Sequence, residues 1–101
     1  MKELFEKIIA QVNAADYLNR LCVDCFMTID VMAKNHSYAI SGKVAEIYDE
    51  AGDIEDYGYE FYVDDNRDDI YETLHDAIEY IVDKEMENTA NETIWYCNKR
   101  R

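Results

Sequence analysis

Leu4, Phe5, Ile8, Ile9, Val12 and Ala15 recur at the three- and four-residue spacing of a helix, with Lys2, Glu6, Lys7 and Gln11 on the other side. That pattern predicts an amphipathic helix over residues 2–18. From Leu21 to Val31 the period changes: odd positions are Leu, Val, Cys, Met, Ile and Val, and even ones include Asp24, Thr28 and Asp30. Such alternation predicts a strand with one buried face. KNHS at 34–37 has turn composition, and a second strand of about ten residues is expected from Tyr38, with Gly42 as a candidate bulge.

DEAGDIED at 49–56 reads as a loop short enough for the third strand, Tyr57–Asp64, to pair with the second as a hairpin. In that strand Tyr57, Tyr59, Phe61 and Val63 share one face, and Gly58, Glu60, Tyr62 and Asp64 the other. Asn66 and Asp69 have the spacing of a helix cap, and Ile70, Leu74, Ala77, Ile78 and Ile81 form one apolar stripe, so a second helix is predicted from Asn66 to about Glu87. TANE at 89–92 resembles another capping box, which would open a short third helix over TIWYCN; an edge strand over TIWYC is the alternative. The predicted class is α+β: helix, three-stranded antiparallel sheet, helix and short C-terminal helix, with helices on one face of the sheet. Residues 1–101 are expected to form a single compact domain that buries roughly 65% of the surface its unfolded chain exposes.

Composition narrows the class. Hydrophobic residues make up 49% of the chain, too many for a disordered acidic tail. No apolar run approaches the ~18 residues of a membrane span, and Glu3 and Glu6 are out of place in a signal peptide. Three cysteines, an odd number, do not read as a disulfide framework, so a reducing, cytoplasmic setting is expected.

Charge changes the picture most. Residues 46–72, EIYDEAGDIEDYGYEFYVDDNRDDIYE, hold twelve carboxylates and five tyrosines against one base, Arg67, whereas the acids and bases of residues 1–45 cancel. Of the net charge of −13, therefore, −11 lies in about a quarter of the sequence. On the predicted second helix, Glu72, Asp76, Glu79 and Asp83 fall within about 60° of one another, opposite the apolar stripe. A solvated helix face would explain that ladder alone. Its sequence neighbourhood suggests more, since a hairpin feeding into the helix is expected to bring the acidic loop and the ladder close in space. An acidic chain is repelled by phosphates, which excludes nucleic acid and anionic membranes as direct partners and favours basic surfaces.

Twelve charges correspond to about 20 Å of duplex, and carboxylates one helical turn apart are separated by ~6 Å, much as successive phosphates are. Tyrosines add flat amphipathic groups of the kind favoured at interfaces. Halophilic adaptation would spread carboxylates over the whole surface, and solubility needs a net charge of only ~2–8. Neither predicts clustering.

Other chemistry is weakly encoded. Asp64, Asn66 and Asp68 have calcium-loop spacing, but the glycine position is Asp69 and the bidentate glutamate position is His75. CVDC at 22–25 has zinc-like spacing, yet a lone pair in a predicted strand would point to opposite faces, so buried structural cysteines are expected; a site with Cys97 and His36 is the alternative. No serine or cysteine stands recognisably beside a histidine and an orienting acid, and His36 and His75 read as surface groups. No enzymatic activity, cofactor or metal is expected.

In size, charge and inferred helix, three-strand, helix order, the chain resembles small acidic DNA-mimic inhibitors of phage or mobile-element origin, most of all type II-A anti-CRISPR proteins. The resemblance rests on no sequence motif. It implies host defence evasion by a nuclease inhibitor that occupies the DNA-binding groove of a basic nucleic-acid-binding protein, a CRISPR effector nuclease, in the host cytoplasm. The acids expected to make partner contacts are Asp49, Glu50, Asp53, Glu55, Asp56 and Glu60 around the hairpin, Asp64, Asp65, Asp68, Asp69 and Glu72 after it, and Asp76 and Glu79 on the helix. Tyr57, Tyr59, Tyr62 and Tyr71 are the expected anchors, with Tyr48, although alternation should bury about half of them. The alternative is a structural or adaptor module that binds a basic protein partner through the same tyrosine-rich acidic surface.

Overall fold

Asp16 is where the first helix gives way to the sheet. It adopts a left-handed φ of 53°, which turns the chain out of the helical path and sends Tyr17 into the core, where it is 2% exposed. Helix α1 accordingly spans Lys2–Ala14, not residues 2–18, and a single 3₁₀ turn, Leu18–Arg20, follows. A computed structural model describes residues 2–99, with side chains described for residues 2–87. After α1 come β1 (Met27–Met32), β2 (Ser37–Tyr48), β3 (Ile54–Val63) and α2 (Leu74–Lys99). The strands form an antiparallel sheet in the order β1-β2-β3. The predicted α+β order of helix, three-stranded antiparallel sheet and helix is the observed one.

One row of residues crosses the whole sheet. Met27 lies opposite Gly42 and Gly42 opposite Phe61. On the outer edge, Phe61 exchanges two backbone hydrogen bonds of 2.8 Å with Tyr71. Because the Phe61 backbone groups point outward to Tyr71, the Gly42–Phe61 pair is a non-hydrogen-bonded one, in which side chains approach most closely. Gly42 is therefore needed for space and not for a bulge: a Cβ there would stand 2.5 Å from the Phe61 ring and 2.8 Å from the Tyr17 hydroxyl. The pairing irregularity falls at Ile47/Tyr48 instead. Tyr17 donates its hydroxyl proton to the Met27 carbonyl at 2.7 Å, with the Ile40 carbonyl sharing it at 3.2 Å. Burial pushes its pKa far above the ordinary tyrosine value, so it remains a donor.

Ile8 and Val12 of α1, Val31, Ile40, Phe61 and Val63 of the sheet, and Ala77, Ile78, Ile81 and Val82 of α2 are buried in one cluster. Both helices thus cover the same face. A fully buried isoleucine contributes about 2 kcal/mol relative to an exposed one, which makes Ile8, Ile40, Ile78 and Ile81 principal anchors of the two helices and the central strand. On the opposite face Thr28 and Ser41 share a hydroxyl hydrogen bond of 2.7 Å. There Phe26 meets Tyr62 edge-on at 5.0 Å, and Lys43 and Arg67 lie over the Phe26 and Tyr62 rings at 5.1 and 5.3 Å.

Three further boundaries differ from expectation, each for a local reason. Residues 21–26 are an irregular loop with a bend at 23–25 and not strand, and the Cys22 carbonyl accepts a hydrogen bond from the Val44 amide at 3.0 Å. Strand β3 starts at Ile54, three residues early, because the Asp49 carboxylate caps the amides of Ala51 and Asp53 and closes a tighter turn. Helix α2 starts at Leu74, not at Asn66. Asn66 does bond Asp69 at 2.8 Å, but within a loop; Tyr71 is held at the sheet edge, Ile70 is exposed, and the cap is Thr73, whose hydroxyl accepts the Asp76 amide at 3.1 Å. The short third helix is not a separate element: α2 runs on to Lys99, and the side chains of residues 89–98 lie outside the described residues.

Glu85 of α2 is 1% exposed. Its Oε1 stands 2.8 Å from His36 Nδ1 and accepts the Asn35 amide at 3.3 Å, while Oε2 has no partner of hydrogen-bonding geometry. Burial pushes its pKa up, but the His36 and Asn35 hydrogen bonds and the His36 charge, with a weaker polar contribution from Tyr38, hold it below the ordinary 4.5. A carboxylate with a depressed folded pKa stabilises the fold above its unfolded value and loses that contribution as pH falls through the folded one. Glu85→Gln is therefore expected to be less stable than wild type by about 1 kcal/mol near neutrality, with the difference shrinking as the carboxylate of the wild type is protonated at acid pH, in denaturant titrations. Gly42→Ala is expected to cost about 2 kcal/mol, read as a lowered denaturation midpoint at unchanged m value.

Candidate functional site

Strand β1 stops pairing at Met27, opposite Gly42, whereas β2 and β3 remain paired as far as Tyr48 and Ile54. Beyond the Gly42–Phe61 pair, then, the hairpin continues as a two-stranded ribbon, closed by the 49–53 turn. Phe61 lies seven positions from Ile54, a reach of about 23 Å at ~3.3 Å per residue. The extension follows from the sequence: alternating β-formers continue through Val44–Tyr48 and Tyr57–Phe61, while β1 has no residues left to pair with them.

The expected site residues fall into two groups along this hairpin. Asp49, Glu50, Asp53, Glu55 and Asp56 are exposed at the far end of the ribbon. Asp64, Asp65, Asp68, Asp69 and Glu72 are exposed in the segment between β3 and α2, next to Asp76 and Glu79 on the first turns of α2. Glu60 lies partly buried between them. The acidic turn and the acids before α2 meet β3 at different points along its length. Tyr71 pairs with Phe61, so Glu72 follows a point seven strand positions, about 23 Å, from Ile54 beside the turn. Glu72 precedes α2, so the helical ladder is reduced to Asp76, Glu79 and Asp83.

Several of these carboxylates have internal work. Asp49 caps its own turn, Asp69 bonds Asn66, and Asp56 accepts the Tyr57 amide at 2.8 Å. Asp64, at a left-handed φ of 53°, accepts the Ala39 amide at 2.9 Å and seals the end of the β2–β3 pairing. Glu79 stands 2.8 Å from His75. Glu50, Asp53, Glu55, Asp65, Asp68 and Glu72 make no hydrogen bond or ion pair through their carboxylates among the described residues. Within the acidic segment the one ion pair among the described residues is Lys43–Glu60, at 3.8 Å. Arg67, the base in its midst, is spent on the Tyr62 ring. Of the twelve carboxylates of residues 46–72, Glu55, Asp56 and Glu60 lie on β3 and Glu46 on β2; the other eight lie in the turn and the 64–72 segment.

The tyrosines divide sharply. Tyr57 and Tyr59 are 58% and 40% exposed on the ribbon, and Tyr59 stacks on Phe61 at 5.6 Å. Tyr62 is 6% exposed and belongs to the fold, not to the surface. Tyr71 is partly buried, paired with Phe61 and packed on Tyr80 at 5.8 Å; burial, then Asp69, raises its pKa. Tyr48 is exposed and donates to Glu46 at 2.9 Å, a bond that raises its pKa. Sequence reasoning did not single out the exposed Ile47 and Ile54, because Ile54 fell in the expected 49–56 loop and Ile47 at the end of the expected second strand.

No protein-family model matches the chain, and neither a curated protein nor a solved structure does. Among the described residues, no helix is long and apolar enough to cross a membrane. The geometry alone therefore carries the functional reading: a projecting, unpaired negative strip with aromatic and aliphatic groups at its far end.

Truncation should separate surface from fold. Tyr57→Ala is expected to change unfolding free energy by no more than about 0.5 kcal/mol, and Tyr62→Ala to cost about 3 kcal/mol, in equilibrium denaturation of the free protein.

Proposed function

We propose that this chain is a non-enzymatic inhibitor that lays its acidic hairpin, together with the 64–72 segment, into the basic nucleic-acid groove of a nuclease, a type II CRISPR effector being the leading candidate, in the cytoplasm of a host cell. The observation that supports it most is the unpaired state of the clustered carboxylates. Folding by itself favours dispersing or pairing like charges, and this chain does so in its first 45 residues. Carboxylates left in water would be paired by the Arg and Lys side chains of such a groove, which would release the groove's counterions. The β-ribbon is already extended and hydrogen-bonded, so little ordering cost would accompany docking.

The ribbon tip favours a second reading. Tyr48, Ile54 and Tyr57 are each about half exposed and together resemble an interface core, as an adaptor for a basic protein would need. Salt distinguishes the two: a DNA mimic should bind progressively more weakly as ionic strength rises, whereas an apolar adaptor contact should persist.

Competition with labelled duplex DNA for a guide-loaded type II CRISPR nuclease, followed by anisotropy, tests the proposal. Wild-type protein should displace the DNA. Two triple reversals, Glu50, Asp53 and Glu55 to lysine and Asp65, Asp68 and Glu72 to lysine, avoid the carboxylates with structural roles and should each weaken displacement about tenfold or more. Failure of the wild type to compete, or equal competition by both reversals, would overturn the assignment.

A further inference from the structure

Cys22 and Cys25 were expected to be buried on opposite faces of a strand; both are instead exposed, in the irregular loop of residues 21–26. Their sulfurs are 3.5 Å apart, and the Cys22 sulfur also lies 3.7 Å from the Cys25 carbonyl. The loop is fixed at both ends, by the Val44 amide on the Cys22 carbonyl and by Phe26 between the Tyr62 ring and Lys43. The two thiols are thus held side by side, accessible to solvent, with no third sulfur, imidazole or carboxylate converging on them among the described residues. A zinc site requires four ligands, and two neighbouring thiols alone suit a different chemistry.

We propose that Cys22 and Cys25 form a thiol–disulfide exchange site whose substrate is a low-molecular-weight disulfide of the glutathione class, and that exchange closes an intramolecular disulfide at the root of the acidic ribbon. The two sulfurs share one hydrogen bond in which either can be the donor, so either thiol can make the first attack, and the order starting from Cys22 is representative. The Cys22 thiolate attacks one sulfur of the small disulfide, a mixed disulfide forms, and one small thiolate leaves. Cys25 then loses its proton and attacks the Cys22 sulfur, the mixed disulfide breaks, and the second small thiolate departs. Two protein thiols are oxidised and one small disulfide is reduced to two thiols; no other oxidant is required. Closure removes the two exposed thiols and fixes the loop from which the Cys22 carbonyl holds Val44. The neighbouring negative charge slows the first attack of the protein thiolate on an anionic disulfide, which makes the pair a slow staple and not a rapid oxidoreductase.

The test is incubation of the full chain with oxidised glutathione under argon with a chelator, then alkylation, tryptic digestion and mass spectrometry. Trypsin leaves both cysteines on the 21–34 peptide and Cys97 on another, so the third thiol does not interfere. The expected product is a 21–34 peptide that has lost two hydrogens and both alkylation sites. Cys25→Ser should stop at a glutathione adduct on Cys22. A wild-type peptide carrying two alkyl groups, or stable glutathione adducts without closure, would overturn the proposal. So would protection of both thiols by zinc alone, without oxidised glutathione, in a chelator-free control.

Discussion

The close approach of Phe61 to Gly42 is the constraint on which the rest of the structure depends. Because glycine leaves room beneath it, the Phe61 ring can sit against Tyr17, and the Tyr17 hydroxyl can reach the carbonyls of Met27 and Ile40. That single contact joins the end of α1 to β1, β2 and β3. The outward backbone of Phe61 then captures Tyr71, and this bridge determines where the chain returns after its acidic excursion and where α2 is free to begin. Local propensity would start the helix at Asn66, and the sheet edge delays it to Leu74.

The same row of residues divides the hairpin into two regimes. On one side of it β1, α1 and α2 surround β2 and β3, and every inward side chain has a partner. On the other side no third strand continues and only the 21–26 loop meets β2, through Val44 and Lys43, so Tyr57 and Tyr59 keep the alternation of a buried strand without the burial. Charge is distributed to match: the ribbon tip and the 64–72 segment hold unpaired carboxylates, while the body is nearly neutral. Self-repulsion is lower in an extended hairpin that spaces its charges along its length than in a compact cluster. The architecture thus tolerates an array that a small globular surface would find costly.

Much of the fold was legible in the chain. The apolar spacing of Leu4, Ile8 and Val12 and of Leu74, Ile78 and Ile81 identifies the two helices and the faces they bury, and the facing set Tyr57, Tyr59, Phe61 and Val63 is as alternation implies. Misreadings cluster where a short local pattern was overruled by a long-range contact. Leu21 to Cys25 alternate like a strand but are drawn into a bend by Val44, and Asn66 with Asp69 spell a cap that the Tyr71 bridge cancels. Of the site, the identity of the acids was legible, but not the division of the tyrosines, since Tyr57 and Tyr62 differ in burial only through what lies across from them.

The sequence by itself determined the class of fold, the localisation of −11 of the charge to residues 46–72 and the placement of the tyrosines among those acids. These follow from composition and period, which are properties of neighbours along the chain. Only the tertiary structure decided that β3 separates the acids into two groups, that Tyr62 and Tyr71 are claimed by the fold, and that Cys22 and Cys25 meet in an exposed loop. Each of those depends on where β1 ends and on which backbone groups it leaves for others to pair, and no window of local sequence contains that information.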